Sequence, residues 1–404
     1  MPMPIISNLA ETYRTMRKCT IIGISDSRNQ WLPPQATDVI NHGRVFSGGK
    51  RHYEIVGHLL PHNALWINIC VPLTAVFEQY AQHDEIVIFA SGDPLFYGFA
   101  TTVQRECKDC EISIIPTFNS IQLLAHQLRM PYHNLVTVSL TGRAWDGLDS
   151  ALIKGESLIG CLTDHQKTPH SIWQRLVRYG YTNYQMFVGV KLGNETHERV
   201  CVYDENDVYD TPNCVLLKMT HARHQPFGLP DNEFKPLNGR AKMITKMPIR
   251  LFVLSALDLA GKKTFWDVGF CTGSISIEAK LHFPHLHITA FEVRPEGRDL
   301  MDSNSTRFGT PGIEVVIADF MKTDLSEYQQ PEAVFIGGHG GQLKQMILKI
   351  KKKLAEGGCI VFNSVSTDSL QQFKEGATEA GMKWTLCGTI TLDDNNSITT
   401  IKAQ

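Results

Sequence analysis

The sequence has almost no excess charge of either sign, and this argues against a nucleic-acid partner. Its 404 residues carry 39 Lys and Arg against 41 Asp and Glu, and no basic patch interleaved with aromatic residues stands out. No apolar run approaches the roughly 20 residues that span a bilayer. The first 19 residues lack an apolar segment followed by a small-residue cleavage site. We therefore expect a cytoplasmic protein with no membrane partner and no nucleic-acid partner.

The sequence also lacks the cysteine spacing of a disulfide framework or a zinc site. Ten cysteines are scattered along the chain, and only Cys107 and Cys110 form a C-x-x-C pair. A structural zinc site needs two further ligands at matched spacing, and none follows. We therefore expect two reduced thiols and no metal site.

The length of the chain and the order of its segments predict two α/β units. A chain of this length exceeds one ordinary hydrophobic core, and strand signals alternate with helix signals along it. Residues 220–240 contain three prolines and two glycines with little periodicity, which is typical of a boundary. The predicted organisation is an extension over residues 1–18, an α/β unit over 19–219, a linker over 220–240 and a second α/β unit over 241–404.

In the first unit, the stretch IVIFASGDPLFYGFA predicts a buried strand that stops at a sharp turn. The strand is predicted over residues 85–90 and a helix over 95–108, with Pro94 able to begin the helix. Gly92 permits a sharp bend and Asp93 places a carboxylate at the carboxyl end of the strand. Ligands of open α/β sheets bind at that edge.

In the second unit, the stretch TFWDVGFCTGSISIEA places a glycine loop between a strand and a helix. Asp267, Gly269 and Gly273 lie in or beside this loop, while Glu292 and Asp319 end the next two strands. Glycines allow the backbone to close on a ligand, and Glu292 is placed to accept hydrogen bonds from ribose hydroxyls. Asp267 would repel a pyrophosphate and attract a cationic ligand, and Asp319 can accept from an adenine amino group. Together these acids favour a site for S-adenosylmethionine (SAM).

The second unit resembles the decarboxylating precorrin C15-methyltransferases of corrin biosynthesis from about residue 228 to the C-terminus. The motifs that carry this resemblance are DVGFCTGSISIEA, FEVRPEG, IADF, FIGGHGG and the leading segment PDNEFKPLNGRAKMITKMPIRLFVLSAL. The resemblance implies a Rossmann-like class I SAM methyltransferase domain. It adds Thr245, which can also cap a helix, to the cofactor-binding residues. One departure is Cys271, where the family usually has a glycine, and its thiol would narrow the loop.

The first unit resembles the tetrapyrrole methylases, a class with two α/β subdomains, over about residues 19–210. The resemblance lies in GDPLFYG, FNSIQLLAHQLRMPYHN, VSLTGRAWDGL and CLTDHQKTP, and its subgroup is similar to the precorrin C5-methyltransferases. It implies that Gly92 and Asp93 seat SAM, with Thr163 and Asp164 as further contacts. Family members carry a glycine-rich loop after the first strand, whereas GISDS in this chain keeps only Gly23. Either the cleft is reshaped or this half has reduced activity.

Taken together, the resemblances imply one enzyme with two SAM-dependent activities. The first half would methylate C5 of a precorrin-6-type macrocycle, and the second would methylate C15 and release the C12 acetate as carbon dioxide. Because the substrate bears many carboxylates, substrate contacts are expected from basic side chains and from a glycine turn. The candidates are Arg143, Lys242, Lys246, Arg250, Gly338 and Gly340, with His339 as a possible catalytic proton handler.

Several alternatives stay open from the sequence. Each basic candidate can instead be a solvated surface charge, and His339 can be part of a bland tight turn. The second half alone can be active, or the chain can be a SAM-dependent methyltransferase acting on another substrate such as RNA. A tetrapyrrole-binding scaffold without activity is a further alternative. The first resemblance implies a homo-oligomer, and the sequence does not decide between cobalt-containing and metal-free substrates or the order of the methylations.

Overall fold

The computed structural model describes residues 16–240, 243–392 and 397–404. Lys242 and most of the predicted extension therefore lie outside the described residues. Residue contacts divide the chain into two compact units. The first unit contains residues 1–135, 160–169 and 186–216, and the second contains residues 136–159, 170–185 and 217–404. The predicted boundaries at residues 219 and 240 stay predictions.

The first sheet is parallel and belongs wholly to the first unit. Its strands lie in the order β3-β2-β4-β1-β5, with every recorded pairing parallel. The elements of this sheet are β1 (Arg17–Ile24), α1 (Pro34–His42), β2 (Val45–Gly48), α2 (Lys50–Val56), β3 (Leu65–Asn68), α3 (Leu73–Tyr80), β4 (Glu85–Ser91), α4 (Ala100–Glu106) and β5 (Cys110–Ile115). Apolar clusters cover both faces, which explains why β4 is an unbroken apolar run. Because β1 and β4 are neighbours in register, Ile24 lies opposite Ser91 at the carboxyl edge.

The second sheet has five strands in the order β6-β7-β10-β8-β9. Its elements are α5 (Ser120–Gln127), β6 (Val136–Ser139), α6 (Asp146–Lys154), β7 (Leu158–Leu162), α7 (Pro169–Arg178), β8 (Tyr184–Val190), β9 (Arg199–Val202) and β10 (Asn213–Met219). Strands β8 and β9 pair antiparallel. The first half of the chain thus contains two sheets, of which the first is parallel and the second includes an antiparallel pair of strands.

The third sheet has seven strands in the order β13-β12-β11-β14-β15-β17-β16. Its elements are α8 (Met247–Leu257), β11 (Thr264–Val268), α9 (Ser274–His282), β12 (His287–Glu292), α10 (Glu296–Phe308), β13 (Ile313–Ile317), β14 (Ala333–Ile336), α11 (Leu343–Lys351), β15 (Cys359–Ser364), α12 (Thr367–Glu379), β16 (Trp384–Ile390) and β17 (Ile398–Ala403). The first five strands are parallel, and β17 pairs antiparallel with β15 and β16. The α/β class and the Rossmann-like second half are confirmed.

Two predicted helix starts are wrong. The helix after the first turn begins at Ala100 rather than near Pro94, because Tyr97 has a positive φ of 53° that a right-handed helix does not allow. Thr245 does not cap α8, since the helix begins at Met247 and Lys246 holds the cap position without a side-chain hydrogen bond. In both cases local loop geometry overrides the capping signal.

Part of the predicted linker packs in the interior through three apolar side chains. Leu229, Phe234 and Leu237 are buried, and the backbone N–H groups of Gly228 and Leu229 donate to the carboxylate of Glu278 on α9. No helix in the described part of the chain is long and apolar enough to cross a membrane.

Candidate active sites

The turn after β4 is in backbone contact with the end of β1. Gly92 has a φ of +62°, and its N–H donates to the carbonyl oxygen of Ile24 at 2.8 Å. A Cβ atom on Gly23 would lie only 2.2 Å from the carbonyl oxygen of Gly92. The two strand ends therefore meet so closely that position 23 has no room for a side chain, which explains why this glycine of the loop remains.

A cavity of 160 Å³ opens beside this turn within the first unit. It is lined by Ile24, Ser25, Asp26, Arg51, Ile55, Ser91, Gly92, Phe118, Ser120, Leu123, Gly189, Leu192, Pro212, Asn213 and Cys214. The structure thus brings the predicted Gly92 and the altered GISDS loop to the same cavity. Its wall combines apolar side chains with six polar or charged ones, and such convergent polar groups orient ligands in small-molecule sites.

Asp93, Thr163 and Asp164 do not line this cavity in the part of the chain that the structure describes. The Asp93 carboxylate accepts from the Leu95 N–H at 2.9 Å and shapes the turn. Thr163 donates its hydroxyl to Asn213, at 2.7 Å from the side-chain oxygen, and Asn213 lines the cavity. Thr163 therefore supports the wall from behind.

Asp164 accepts hydrogen bonds within its own loop. The backbone N–H groups of Gln166 and Lys167 donate to its carboxylate at 2.8 and 2.6 Å. These bonds satisfy one carboxylate oxygen, and Asp164 accordingly acts here as a loop-shaping residue.

The polar side chains of the GISDS loop all have protein partners. Arg51 donates to the Asp26 carboxylate from Nε at 2.9 Å and from a terminal nitrogen, and the Asp26 side chain is only 10% exposed. The backbone N–H of Ser25 donates to the side-chain oxygen of Gln30 at 3.0 Å. The hydroxyl of Ser27 donates to the Glu195 carboxylate. The loop is therefore organised by its side chains where the family uses glycines.

His52 is a site residue that the sequence analysis missed. Its Nε2 lies 2.9 Å from the hydroxyl of Ser91 on the cavity wall, and its Nδ1 accepts from the Gly49 N–H at 3.2 Å. Burial, followed by the neighbouring Arg51 charge, lowers the pKa of His52 to about 4. The ring is therefore neutral at pH 7, carries its proton on Nε2 and donates it to Ser91. No motif marks His52, because the contact joins α2 to the end of β4.

In the second half, the loops after β11 and β14 touch through their backbones. Gly269 has a φ of +78°, and a Cβ atom there would lie 2.6 Å from the backbone nitrogen of Gly338. The N–H of Gly337 donates to the carbonyl oxygen of Val268 at 2.8 Å. Gly338, a predicted substrate contact, is thereby held against the predicted cofactor loop.

Cys271 departs from the family pattern at a left-handed backbone position. Its φ is +53°, a conformation that costs a residue with a Cβ atom roughly 1–2 kcal/mol. Its Sγ lies 3.2 Å from the carbonyl oxygen of Met243, and burial raises the pKa of the thiol. Gly273, two residues on, has a φ of +77° and precedes α9. The loop keeps the backbone path of a glycine loop despite Cys271.

Glu292 fixes the cofactor loop to the end of β12. Its buried carboxylate accepts from the Cys271 N–H at 2.9 Å and from the N–H groups of Val293 and Arg294 at 3.0 and 3.1 Å. A carboxylate offers about four acceptor positions, so one remains for a ligand hydroxyl.

Asp267 is buried beneath the loop with one oxygen unpaired. Its Oδ2 accepts the hydroxyl of Ser276 at 2.6 Å, while its Oδ1 has no hydrogen-bond partner among the described residues. Burial, reinforced by the charge of Glu292, raises the pKa of Asp267 to about 7. A buried carboxyl with this environment gains from a nearby cation.

Asp319 lies two residues past β13 and is partly exposed. Its carboxylate accepts from the Met321 N–H at 3.0 Å and lies 3.6 Å from the Lys322 ammonium group. The following loop is fixed by Lys349, whose ammonium group donates to the carbonyl oxygens of Phe320, Met321 and Thr323 at 2.7–2.9 Å.

Arg250 is placed differently from what the sequence suggested. It is fully buried on α8, so its interpretation as a solvated surface charge is wrong. Its guanidinium donates to Asp231 at 2.6 Å, to Glu278 at 3.2 Å, to the carbonyl oxygen of Thr245 at 2.7 Å and to that of Leu229. Arg250 binds the leading segment to α9 and has no exposed surface from which to reach a substrate.

Comparisons with known proteins match both halves of the chain. Residues 11–207 match the family described as tetrapyrrole (corrin/porphyrin) methylases, and residues 238–396 match the precorrin methyltransferase domain. The precorrin-6Y C(5,15)-methyltransferase [decarboxylating] of a Sinorhizobium species is 31% identical over 86% of this chain and 85% of its own length. The chain belongs to the precorrin-6Y C5,15-methyltransferase family.

Single-activity relatives match parts of the chain. The cobalt-precorrin-6B C(15)-methyltransferase (decarboxylating) of Salmonella typhimurium is 36% identical over 33% of this chain and 68% of its own. The cobalt-precorrin-7 C(5)-methyltransferase of the same organism is 26% identical over 45% of this chain and 88% of its own. The C5,15-methyltransferase family thus joins units that exist elsewhere as separate proteins.

The remaining predicted substrate residues of this family member lie on loops. Lys246 is partly exposed, and its ammonium group lies 3.7 Å from Asp231. Arg143 is exposed on the loop after β6. Gly340 has a φ of +53° and open space around its Cβ position. His339 accepts the Gly341 N–H on Nδ1 at 3.1 Å and packs its ring 5.8 Å from that of Phe362, and partial burial lowers its pKa.

Proposed function

We propose that this chain carries two SAM sites, one in each half, and that it methylates a precorrin-6-type macrocycle at C5 and C15 and decarboxylates its C12 acetate. The supporting observation is that each half places its own glycine turn at the carboxyl ends of parallel strands, in a parallel sheet in the first half and in a mixed sheet in the second. Identity to a C5,15-methyltransferase over 86% of the chain includes both turns. The reaction belongs to corrin biosynthesis.

In the first half, the cavity beside Gly92 is the proposed site for SAM. Its glycine backbone allows close approach, and the neutral His52 turns the Ser91 hydroxyl into a donor for a bound ligand. Asp93, Thr163 and Asp164 shape the surrounding loops rather than the wall itself. The volume of 160 Å³ is small for SAM, so we expect side chains of the wall to move on binding.

In the second half, the glycine loop between β11 and α9 is the proposed site. The unpaired, buried Oδ1 of Asp267 fits a cationic ligand above the loop, and Glu292 retains acceptor capacity for ribose hydroxyls. Asp319 is partly exposed at the next strand end and is assigned to the adenine amino group. We assign Thr245 to the wall that covers the ligand, because it follows Met243 by two residues and the Met243 carbonyl oxygen lies 3.2 Å from the Cys271 Sγ atom of the loop.

The chemistry needs little from acid or base groups of the protein. When bound, SAM supplies an electrophilic methyl group to a nucleophilic carbon of the macrocycle. Holding two reactants in line accounts for roughly 7–11 kcal/mol of a barrier, and this is the role of the glycine turns and the buried walls.

Substrate contacts in the second half are assigned to the turn at residues 337–341 and to Lys246. The backbone N–H of Gly340 suits a carboxylate oxygen, and Lys246 adds a charge. The Gly338 N–H already donates to the carbonyl oxygen of Val268 at 3.4 Å, so Gly338 is assigned to the backbone against which the substrate packs. Because His339 accepts on Nδ1, its neutral ring carries the proton on Nε2 and would donate it to a carboxylate or ring nitrogen. Arg143, on the loop after β6, is kept as a proposed substrate contact.

The test is titration calorimetry of SAM into the full chain, followed by mass analysis of the product from a precorrin-6-type macrocycle. We expect two SAM sites per chain, and a product with two added methyl groups and one carbon dioxide lost. One site would mean that only one half works. No binding at all would favour a scaffold, and methylation of RNA would replace the proposed substrate.

We also propose a cytoplasmic homo-oligomer without a nucleic-acid partner. The near-zero net charge supports the absence of nucleic acid, and the tetrapyrrole methylase half supports self-association. Light scattering coupled to size exclusion measures the mass in solution, and a monomer at micromolar concentration would contradict the oligomer. A gel shift with ribosomal RNA that persists at physiological salt would contradict the absence of a nucleic-acid partner.

A further inference from the structure

Three cysteines from distant parts of the sequence meet inside the first unit. Cys19 lies on β1, Cys107 directly follows α4 and Cys110 begins β5. Their Sγ atoms all lie within 4.8 Å of one another. Cys19 and Cys107 are buried, and Cys110 is half-buried. The sequence pair C-x-x-C thus gains a third thiol that no local spacing reveals.

The backbone fixes this cluster from two directions. The turn between Cys107 and Cys110 is closed by a hydrogen bond from the Cys110 N–H to the Cys107 carbonyl oxygen at 3.2 Å. Strand β1 pairs in register with β5, so that Arg17 lies opposite Cys110 and Cys19 opposite Ile112. The three thiols are therefore held by regular structure, which favours a preorganised site.

The spacing of the sulfur atoms suits a metal ion. Three thiolates bound at about 2.3 Å would have sulfurs about 3.8–4.0 Å apart in trigonal or tetrahedral geometry. Sulfurs within 4.8 Å reach that spacing by shifts below about 1 Å, which side-chain torsions supply. A hard cation is unsuited, because it prefers oxygen ligands.

A fixed cation reduces the electrostatic cost of thiolates at this place. Arg17 is paired with Asp109 at 2.6 Å and lies on β1 opposite Cys110, two residues before Cys19. Its positive charge therefore favours thiolate ligands at this place.

We propose that Cys19, Cys107 and Cys110 form a trithiolate site for one soft d10 metal ion of the Cu(I) or Zn(II) class. Three sulfur ligands alone suit three-coordinate Cu(I), whereas Zn(II) would take a water at the half-buried Cys110 side as its fourth ligand. The bound ion links β1, α4 and β5 at the amino edge of the first sheet.

This site is separate from the methyl-transfer chemistry. Cys19 stands four residues before Gly23 on β1, which is about 13 Å along a strand, and Gly23 faces the turn of Gly92. The ion would therefore stabilise the sheet from the edge opposite the cavity. Its loss would change thermal stability before it changed SAM binding.

The test uses the full chain, reduced and freed of metal under anaerobic conditions. Cu(I) is offered from its bathocuproine disulfonate complex and, in a second arm, Zn(II) against a chromogenic chelator. We expect one ion per chain, a thiolate-to-metal absorption band for Cu(I), and a rise in the melting temperature on binding. The arm with tighter binding identifies the ion.

Substitutions show whether the ion sits at this cluster. Cys110→Ser and Cys19→Ala should weaken binding by more than about 100-fold, since outer-shell partners alone cost 10–100-fold. The matched control is Cys201→Ser, a half-buried cysteine outside the cluster, which should bind as the unmodified chain does. The unchanged SAM stoichiometry of Cys110→Ser would show that this variant is folded.

Three outcomes would overturn the proposal. If the unmodified chain bound neither Cu(I) nor Zn(II), the three cysteines would serve only as small apolar side chains in the core. If Cys110→Ser bound the ion as well as Cys201→Ser does, the ion would bind elsewhere. If the anaerobically isolated chain contained a Cys107–Cys110 disulfide, these two residues would form a redox pair.

Discussion

The two halves reach the same kind of sheet edge with loops of different construction. After β11, the loop relies on glycine backbone, with Gly269 against Gly338 and Gly273 ahead of α9. After β1, only Gly23 lacks a side chain, and the loop is held by the pairs Asp26–Arg51 and Ser27–Glu195. Partnered side chains organise a loop as well as glycines do. The comparison therefore favours a reshaped first site over a decayed one.

The largest effect is expected for Gly23→Ala in the first half. The new Cβ would lie 2.2 Å from the Gly92 carbonyl oxygen, which is backbone and cannot rotate away. We expect a loss of about 5 kcal/mol of unfolding free energy and loss of the first SAM site, as measured by urea unfolding and calorimetry. Gly49→Ala is the control, because its nearest neighbour lies at 3.9 Å. Two intact SAM sites in Gly23→Ala would contradict the assignment of the first site.

Gly269→Ala should lower the unfolding free energy and abolish the SAM site of the second half. Its Cβ would lie 2.6 Å from the Gly338 nitrogen at a positive φ, and we expect a cost of about 4 kcal/mol. C15 methylation should be lost while the first SAM site remains. Gly261→Ala has open space around its Cβ and should leave both sites intact. If Gly269→Ala abolished C5 methylation alone, the two assignments would have to be exchanged.

Asp267→Asn should stabilise the chain at high pH. The pKa of Asp267 is about 7 in the folded chain against about 3.9 for a free aspartic acid, so between pH 4 and 7 the unfolded chain has released a proton that the folded chain retains. Stability of the unmodified chain therefore falls as pH rises through this range, by at most about 4 kcal/mol. Urea unfolding should show a higher unfolding free energy for Asp267→Asn than for the unmodified chain at pH 8, and little difference between them at pH 4. An equal difference at both values would show that charge is not the cause.

The same carboxyl is expected to link SAM binding in the second half to the release of a proton. A cationic ligand favours ionised Asp267, so binding near pH 6–7 should release a proton. Calorimetry in two buffers of different ionisation enthalpy measures this release, and Asp267→Asn should abolish it. Proton release that persists in Asp267→Asn would place its origin elsewhere.

Asp26→Asn tests the side-chain construction of the first loop. Removing the carboxylate charge weakens the ion pair with Arg51. Because the Arg51 side chain is 44% exposed to solvent, we expect the unfolding free energy to fall by only about 1 kcal/mol. The KM for C5 methylation should rise severalfold, and C15 methylation should not change. Asp38→Asn, at an exposed position on α1, serves as the control. An unaltered KM would show that this loop takes no part in the first site.

The smallest effect is expected for Cys271→Gly. Glycine removes the roughly 1–2 kcal/mol strain of a positive φ but costs roughly 0.5–1 kcal/mol of chain entropy. We expect a net gain of about 0.5–1 kcal/mol and slightly tighter SAM binding in the second half. Cys271→Ala removes the thiol and keeps the strain, and therefore separates the two causes. A gain in Cys271→Ala equal to that in Cys271→Gly would assign the effect to the thiol.

Features local in sequence were predictable, and those that join distant segments were not. The strand ends that carry Gly92 and Gly269 follow from apolar runs and turn residues, and the α/β fold is confirmed. The start of α4 was missed because Tyr97 adopts a left-handed conformation that no propensity indicates. The burial of Arg250 depends on Glu278, 28 residues away, and Cys19 meets Cys107 only through strand pairing. The functional roles of the site residues stay predictions.

The contact between Gly269 and Gly338 restricts how this sequence can change over generations, and it does so on one side only. A side chain on Gly269 would overlap the backbone of Gly338, whereas a Cβ atom on Gly338 would lie 3.9 Å from the Gly269 Cα atom. Replacement of Gly269 therefore requires the loop after β14 to move away, which a substitution at position 269 alone does not supply. The loop after β1, organised by side-chain pairs, can instead change one partner at a time.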